Sequence, residues 1–527
     1  MDLTEVPSST RTDHRTDRHE EPPSGGHPSW LVLATGFVLV LAVVIRFVTV
    51  SALWLDEAQT VAIARLPLGD LAEGLRHDGA PPLFYALLHG WMQIFGDGDF
   101  SVRFLPGVFA VAALPLTWVA GRRLGGRSVG WAAVILLATS PFAVRYATEA
   151  RMYSLLVLLV LLGYLAATEL LERPDSRRAS IGVGAVTGAL LLTHYWSFYL
   201  LFTVALIFFV LTRRAPVPTR DGARRGLVAM GLGSLVFVPW LPSFLYQARH
   251  TGTPWGGVGR LRSMVDTVFH FSGGYWDPGL LLGMITYALL ALALFGRAVD
   301  GRRIEFDLRT RPGGRHLAVV GFGTLAVAIV ATVVGRSAFA GRYASVIFPM
   351  VILLAAMGTG VLLDRRVRHA VLAAAVVFGF WAAAPNVFGD RTSAPRVAAA
   401  LEAGVQPGDV VAYCPDQLGP SVSRLLADNL GAEHLTFPRA TPPQLVDWVD
   451  YAEVNEAAEA EPFAQMLLDR AGPGGTVWVV WAPGYKTFED KCQGVLGNLD
   501  LARRNNTRPV KLPKNFEKPA LIRFPPQ

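Results

Sequence analysis

The sequence predicts a polytopic α-helical membrane protein of about eleven spans, followed by an extracytoplasmic C-terminal α/β domain. Three observations carry that expectation. Hydrophobic residues make up 52% of the 527-residue chain and charged residues only 17%, whereas a soluble protein of this size carries roughly 25% charge. Long apolar runs recur from residue 30 to residue 384, separated by joints that are alternately rich and poor in arginine. From about Gly389 onward, short strand-like and helix-like patterns alternate instead.

Residues 1–28 are polar, lack apolar periodicity and read as a disordered cytoplasmic tail. Residues 30–50 are long enough to span a bilayer, which takes about 20 apolar residues. That run is too long for a secretory signal peptide, and no small-residue cleavage site follows it. Arg46, near its end, reads as a snorkelling side chain. The next loop, residues 53–91, reads LWLDEAQTVAIARLPLGDLAEGLRHDGAPPLFYALLHGW. Residues 58–76 suggest an interfacial helix broken at Pro67. Residues 83–95 form an apolar run too short to span, which suits a helix lying in the interface. Further apolar segments cover 102–120, 129–144, 152–171, 181–192, 196–211, 227–245, 279–295, 317–334, 343–363 and 370–384.

Arginine placement sets the orientation. One set of joints holds Arg122, Arg123 and Arg127, then Arg173, Arg177 and Arg178, then five arginines from Arg213 to Arg225, six from Arg297 to Arg315, and Arg365, Arg366 and Arg368. The alternate joints hold Arg145 and Arg151, none at Thr193, then Arg336 and Arg342. The positive-inside rule puts the N-terminus in the cytoplasm and the C-terminal domain outside, in a multi-pass protein of the cell membrane. Much of the formal net charge of +7 is then an orientation signal, and no nucleic-acid partner is expected.

In the C-terminal stretch, 396–403, 420–430 and 462–471 read as helices, and 409–414, 476–481 and 520–524 as short strands. Together they suggest a small α/β domain. The two cysteines, Cys414 and Cys492, lack metal-type spacing. In an oxidising compartment they read as a disulfide, against the alternative of two separate thiols.

The polar residues of the outer joints are the candidate chemistry. Asp56 and Glu57 stand side by side just after an apolar run, where acids are costly unless they face water, a cavity or a partner. The competing reading is an ordinary helix start, since acids favour helix N-termini. The joint FAVRYATEARMY brings Arg145, Glu149 and Arg151 between two spans, either as functional groups or as a self-paired rim. His194 lies among aromatics, the long loop 246–277 follows, and Arg342 opens a later span. Acids, histidines and arginines recurring on several joints of one side point to a shared polar cavity.

The segments LWLDEAQT, HDGAPPLFYALLHGW, SPFAVRYATEARMYSLL, LLTHYWSFYLL and GRYASVIFPMVILLAA resemble the GT-C superfamily of membrane glycosyltransferases. The likeness is nearest to the dolichyl-phosphate-mannose protein mannosyltransferase and ArnT-like group and covers roughly residues 31–363. It implies that the transmembrane domain, 29–388, is catalytic, while the change of composition and the arginine placement set off 389–527 as an extracytoplasmic domain. It also implies an inverting transfer of mannose or another hexose or pentose from a polyprenyl-phosphate donor. The acceptor would be an extracytoplasmic envelope glycan, lipid or protein. Asp56 matches the family's first-loop acid and is the expected base, with Glu57 as second choice or partner and Glu149 as a second acid. Arg342, Arg151 and Arg145 are the expected phosphate partners. His77, His89, His194, Tyr153 and Tyr343 are expected to line the substrate site. Asp56, Glu149 and a histidine are ligand types that suit a divalent cation, and relatives differ on metal use. The C-terminal domain matches no subfamily. A lipid or solute transporter or flippase is the alternative, but it calls for charged or broken segments near the bilayer midplane, and the acids here sit at span ends.

Overall fold

The computed structural model describes residues 29–526 except 253–255, 336, 428–429 and 513–514. The tail 1–28, Trp255 and Arg336 therefore lie outside the described residues. Every expected apolar segment forms helix. Eight helices among the described residues are long and apolar enough to cross a membrane. One of them, Asp99–Thr139, holds two of the expected segments. It leaves helical geometry at Gly125 and Gly126, the latter at φ 77°, a left-handed conformation that glycine adopts without penalty. Its halves fold back so closely that a Cβ on Gly121 would stand 2.9 Å from the Gly130 Cα.

Two other expected spans are shorter than a bilayer crossing. Arg177–Leu191 has 15 residues. Residues 343–363 divide into a 3₁₀ turn, Gly341–Val346, and the helix Phe348–Thr359. The latter is buried around almost its whole circumference, which is how an all-apolar helix behaves at the centre of a bundle. The loop after the first helix contains the helices Leu55–Ala64 and Leu71–Asp78, with Pro67 between them, and then Leu83–Phe95.

Arg46 does not snorkel. It is fully buried and donates to the carbonyls of Ala42, Leu137 and Ala138 at 2.5, 2.9 and 2.8 Å. Those last two lie near the C-terminal end of a neighbouring helix, where carbonyls have no partner within the helix.

A hairpin of β1 (Gly296–Ala298) and β2 (Ile304–Phe306) joins two long helices at the end of the bundle away from the first loop. The C-terminal domain is built on β3 (Val410–Cys414), β4 (Glu433–Thr436), β5 (Val477–Trp481), β6 (Thr507–Val510) and β7 (Ala520–Phe524), in the order β4-β3-β5-β7-β6. β3 pairs in parallel with β4 and β5, whereas β7 runs antiparallel to β5 and β6. β3 is buried on both faces, as a parallel strand covered by helices must be. Helices Ala394–Gly404 and Ala460–Ala471 match the expected ones. The helix expected over 420–430 is confined to Gly419–Ser423. Just beyond it, Arg424 reaches across to Asp99 at 3.1 Å. Strands β4 and β6 and the helix Lys491–Ala502 were not expected. Cys414 and Cys492 are bonded, with Cα atoms 5.6 Å apart.

The domain is not a loose appendage. Trp54 and Leu55 of the first loop belong to its apolar core, and the Leu55 N–H donates to the Glu517 carboxylate at 3.1 Å.

Candidate active site

The joints after the first, third, fifth and later spans converge at the end of the bundle that carries the C-terminal domain. Between them lies a cavity of about 220 Å³. Helix Leu55–Ala64 positions its first acid. Consecutive helical residues point about 100° apart, so Asp56 and Glu57 diverge. Asp56 lines the cavity, and its carboxylate lies 3.2 Å from Arg342 Nη1.

Glu57 turns into the protein and is 0% exposed. Arg103 grips it bidentately at 2.7 and 2.5 Å, and the Ala150 N–H donates to it at 2.9 Å. Burial alone would raise the Glu57 pKa, but the Arg103 and Arg391 charges and these hydrogen bonds hold it below the usual carboxylate value. Glu149 is likewise buried, 2.8 Å from Arg145 Nε and 4.0 Å from Arg391 Nη1. Arg391 also donates to the Thr148 carbonyl and hydroxyl at 2.7 and 2.6 Å. Glu57, Glu149, Arg103, Arg145 and Arg391 thus form one ion network behind the cavity wall.

The cavity itself gathers Asp56, Gln59, Asp78, Arg151, Tyr153, His194, Arg342, Tyr343 and Trp448. Arg151 donates to the hydroxyls of Thr60 at 2.7 Å and Tyr85 at 3.1 Å. Tyr85 in turn donates to Asp78 at 2.7 Å, and Gln59 donates to the same carboxylate at 3.3 Å. Burial raises the Asp78 pKa, against the opposing pull of Arg151. Its chain turns at Gly79, φ 81°, where a Cβ would meet Thr251 Oγ1 at 2.7 Å. Burial first, then Arg151 and Arg342, bring His194 down to about 3, so the ring is neutral. Its Nδ1 accepts the Trp196 N–H at 3.1 Å, which leaves the proton on Nε2. Tyr343 packs 5.4 Å from His194, and Arg342 stands 5.6 Å over the Tyr343 ring.

Of the residues singled out in the sequence, Asp56, Arg151, Arg342, His194, Tyr153 and Tyr343 meet in the cavity. Glu57, Glu149 and Arg145 sit behind it. His77 lies outside, against Asp447 at 2.9 Å. His89 bonds the Ala64 carbonyl at 2.9 Å and takes no part. Asp78, Gln59 and Trp448 were missed, as were Arg103 and Arg391. A cation at the start of an apolar segment implies a buried partner, and that signal was available for Arg103. Among the described residues no three metal-ligating side chains come together. Asp56 and Glu149 each face arginine, so a divalent cation held by them would have to displace Arg342 and Arg145.

A family model described as dolichyl-phosphate-mannose-protein mannosyltransferase matches residues 79–242. No curated protein sequence matches the chain. The solved structure of ArnT from Cupriavidus metallidurans in the apo state is similar at TM-score 0.59 and 14% identity, covering 94% of this chain and 98% of that one. The same protein bound to undecaprenyl phosphate is similar at TM-score 0.56, with the same identity and coverage. Arabinofuranosyltransferase AftD from Mycobacteria is similar at TM-score 0.50 and 14% identity, covering 96% of this chain but 40% of that one. The chain therefore shares the fold of ArnT, and the dolichyl-phosphate-mannose-protein mannosyltransferase model matches its residues 79–242.

Proposed function

We propose that the protein transfers a sugar from a polyprenyl-phosphate carrier to an acceptor hydroxyl on the extracytoplasmic side of the membrane, with inversion at the anomeric carbon. The observation that carries this reading is the Asp56–Arg342 pair at 3.2 Å in a cavity also lined by Arg151. A carboxylate to take a proton stands beside cations suited to a leaving phosphate. Similarity to ArnT, whose structure was solved with undecaprenyl phosphate, supports a donor of that class. The arginine-poor character of the joints around the cavity supports the outer face.

In the proposed reaction the acceptor oxygen attacks the anomeric carbon from the face opposite the phosphate. The carbon–oxygen bond to phosphate breaks, and the electron pair leaves on polyprenyl phosphate. Arg342 and Arg151 meet the charge that develops there. Arg342 offers a planar fork that can bind phosphate oxygens in pairs. The acceptor proton passes to Asp56. In an oxocarbenium-like displacement the hydroxyl loses that proton late, so a simple carboxylate serves as base. Donor phosphate competes with Asp56 for Arg342, so binding the donor frees the base. Neutral His194, with its proton on Nε2, is available as a hydrogen-bond donor that adds no charge.

The test is transfer by the purified full-length chain in proteoliposomes, supplied with radiolabelled polyprenyl-phosphoryl sugars and cell-envelope acceptor extracts. The expected result is label in acceptor and release of polyprenyl phosphate. Label that crosses the bilayer while still on its carrier, with none transferred, would instead identify a flippase.

A further inference from the structure

The C-terminal domain supplies one wall of the cavity. Its residues 446–450 run along the mouth and are fastened to both neighbouring loops. Gln59 exchanges two hydrogen bonds of 2.8 Å with the Val446 backbone. The Trp448 N–H donates to the His77 carbonyl at 3.0 Å. Beyond it, the Asp450 N–H donates to the His250 carbonyl at 2.7 Å, and its carboxylate meets the His250 ring at 3.0 Å. These bonds use backbone groups and the flanking acids. The Trp448 indole packs into the apolar core of the C-terminal domain, 8% exposed, and it also lines the cavity. The Tyr451 ring, 4.7 Å away, braces it.

Among the lining residues, Arg342, Tyr343 and His194 cluster, which suits a departing phosphate. Gln59 joins Asp78, at 3.3 Å, to the segment bearing Trp448. There the cavity meets the Asp78 carboxylate, the Gln59 carboxamide, whose N–H groups already go to Asp78 and Val446, and the exposed part of the Trp448 ring. A saccharide ring is the complement of that set. Its C–H face packs on the electron-rich face of an indole, and its rim of hydroxyls bonds to carboxylate and amide.

We propose that Trp448 is a specificity-determining residue of an acceptor subsite formed with Gln59 and Asp78, and that the acceptor is a saccharide. This rests on the transfer chemistry assigned above to Asp56 and Arg342. The choice of acceptor then travels with the C-terminal domain, while donor recognition stays with the bundle.

The test uses full-length protein in detergent and native mass spectrometry with two probes. One is undecaprenyl phosphate; the other is a set of octyl glycosides of mannose, glucose and arabinose. The wild type is expected to bind the lipid phosphate and at least one glycoside. Trp448→Ala should weaken the glycoside roughly tenfold, leave the lipid phosphate within about twofold, and be largely rescued by Trp448→Phe. Unchanged glycoside affinity in Trp448→Ala overturns the proposal. So does loss of both probes in both variants, which would make Trp448 a folding residue. Binding of a serine- or threonine-containing peptide in place of every glycoside overturns the saccharide assignment. A wild type that binds glycoside but no undecaprenyl phosphate refutes the donor chemistry instead, so the two failures are distinguishable.

Discussion

Replacing Asp56 by Asn separates the two jobs proposed for that carboxylate, because Asn keeps its size and removes only its charge. Asp56 and Arg342 stand 3.2 Å apart, with side chains 16% and 23% exposed. At an effective dielectric of about 20 their gross attraction is about 5 kcal/mol. Desolvation returns most of that, leaving a net of roughly 1–2 kcal/mol. That remainder is the advantage with which Asp56 competes against donor phosphate for Arg342. Removing it should tighten undecaprenyl phosphate binding by about tenfold. Loss of the base should lower transfer by roughly 10²- to 10⁴-fold. Binding is measured by titration in detergent, and transfer by label incorporation in proteoliposomes, on samples with matched thermal unfolding. The two effects run in opposite directions, which a general loss of folding cannot imitate. Transfer within a few-fold of wild type removes Asp56 as the base. Weaker phosphate binding refutes the competition for Arg342.

Glu57→Gln should behave differently from its neighbour. It leaves Arg103 and Arg391 buried without their counter-charge and should cost roughly 3 kcal/mol, seen as a lower unfolding temperature and poor yield; a stable, inactive variant would contradict this. Separating the cysteines with Cys414→Ser, across a sequence separation of 78 residues, should cost about 4.5 kcal/mol by the chain-entropy estimate. That loss should appear as unfolding of the C-terminal domain, and an unchanged transition would refute it. Burial raises Asp416 and Glu517 to about 7, from free values of 3.8 and 4.5. A raised acid favours the protonated folded state, so the stability it contributes is whole below about pH 4 and is lost as pH rises through 7. Unfolding temperature compared between wild type and the Asp416→Asn, Glu517→Gln double variant from pH 4 to 8 should show a steeper decline in the wild type. Parallel curves would count against it.

The helical architecture was legible because an apolar run of spanning length is a local property, carried by each segment alone. The strands β3 and β5 were legible for the same reason, since each is a short, continuous apolar run, and β7 is one interrupted only by Arg523. β6 was not, because it lies exposed on the sheet edge and its residues carry no burial signal. Arg46 shows a different gap. A cation near the end of an apolar helix is compatible with snorkelling or with capture by carbonyls. The choice depends on where another helix ends, which no local pattern records. Trp448 had no signal at all, since its contact with the cavity exists only once two domains are docked.

Asp56 and Glu57 pose that problem in its sharpest form. They share a helical turn, a charge and nearly a side chain, and the sequence around them cannot rank one over the other. Their fates are decided by arginines from elsewhere in the chain. Arg103 reaches Glu57 from inside the bundle and closes its coordination with two hydrogen bonds, and Ala150 adds a third. Nothing is left of that carboxylate for a substrate. Arg342 reaches Asp56 through a single longer contact at the edge of a cavity. One carboxylate of that pair retains a free lone pair and access to solvent. A buried ion pair saturated with hydrogen bonds is a staple whose rupture costs stability, whereas an unsaturated pair open to a cavity can be exchanged for a ligand. That difference in saturation and access, not residue type, is the reason to assign the chemistry to Asp56, and it is measurable in the opposite responses expected of the two substitutions.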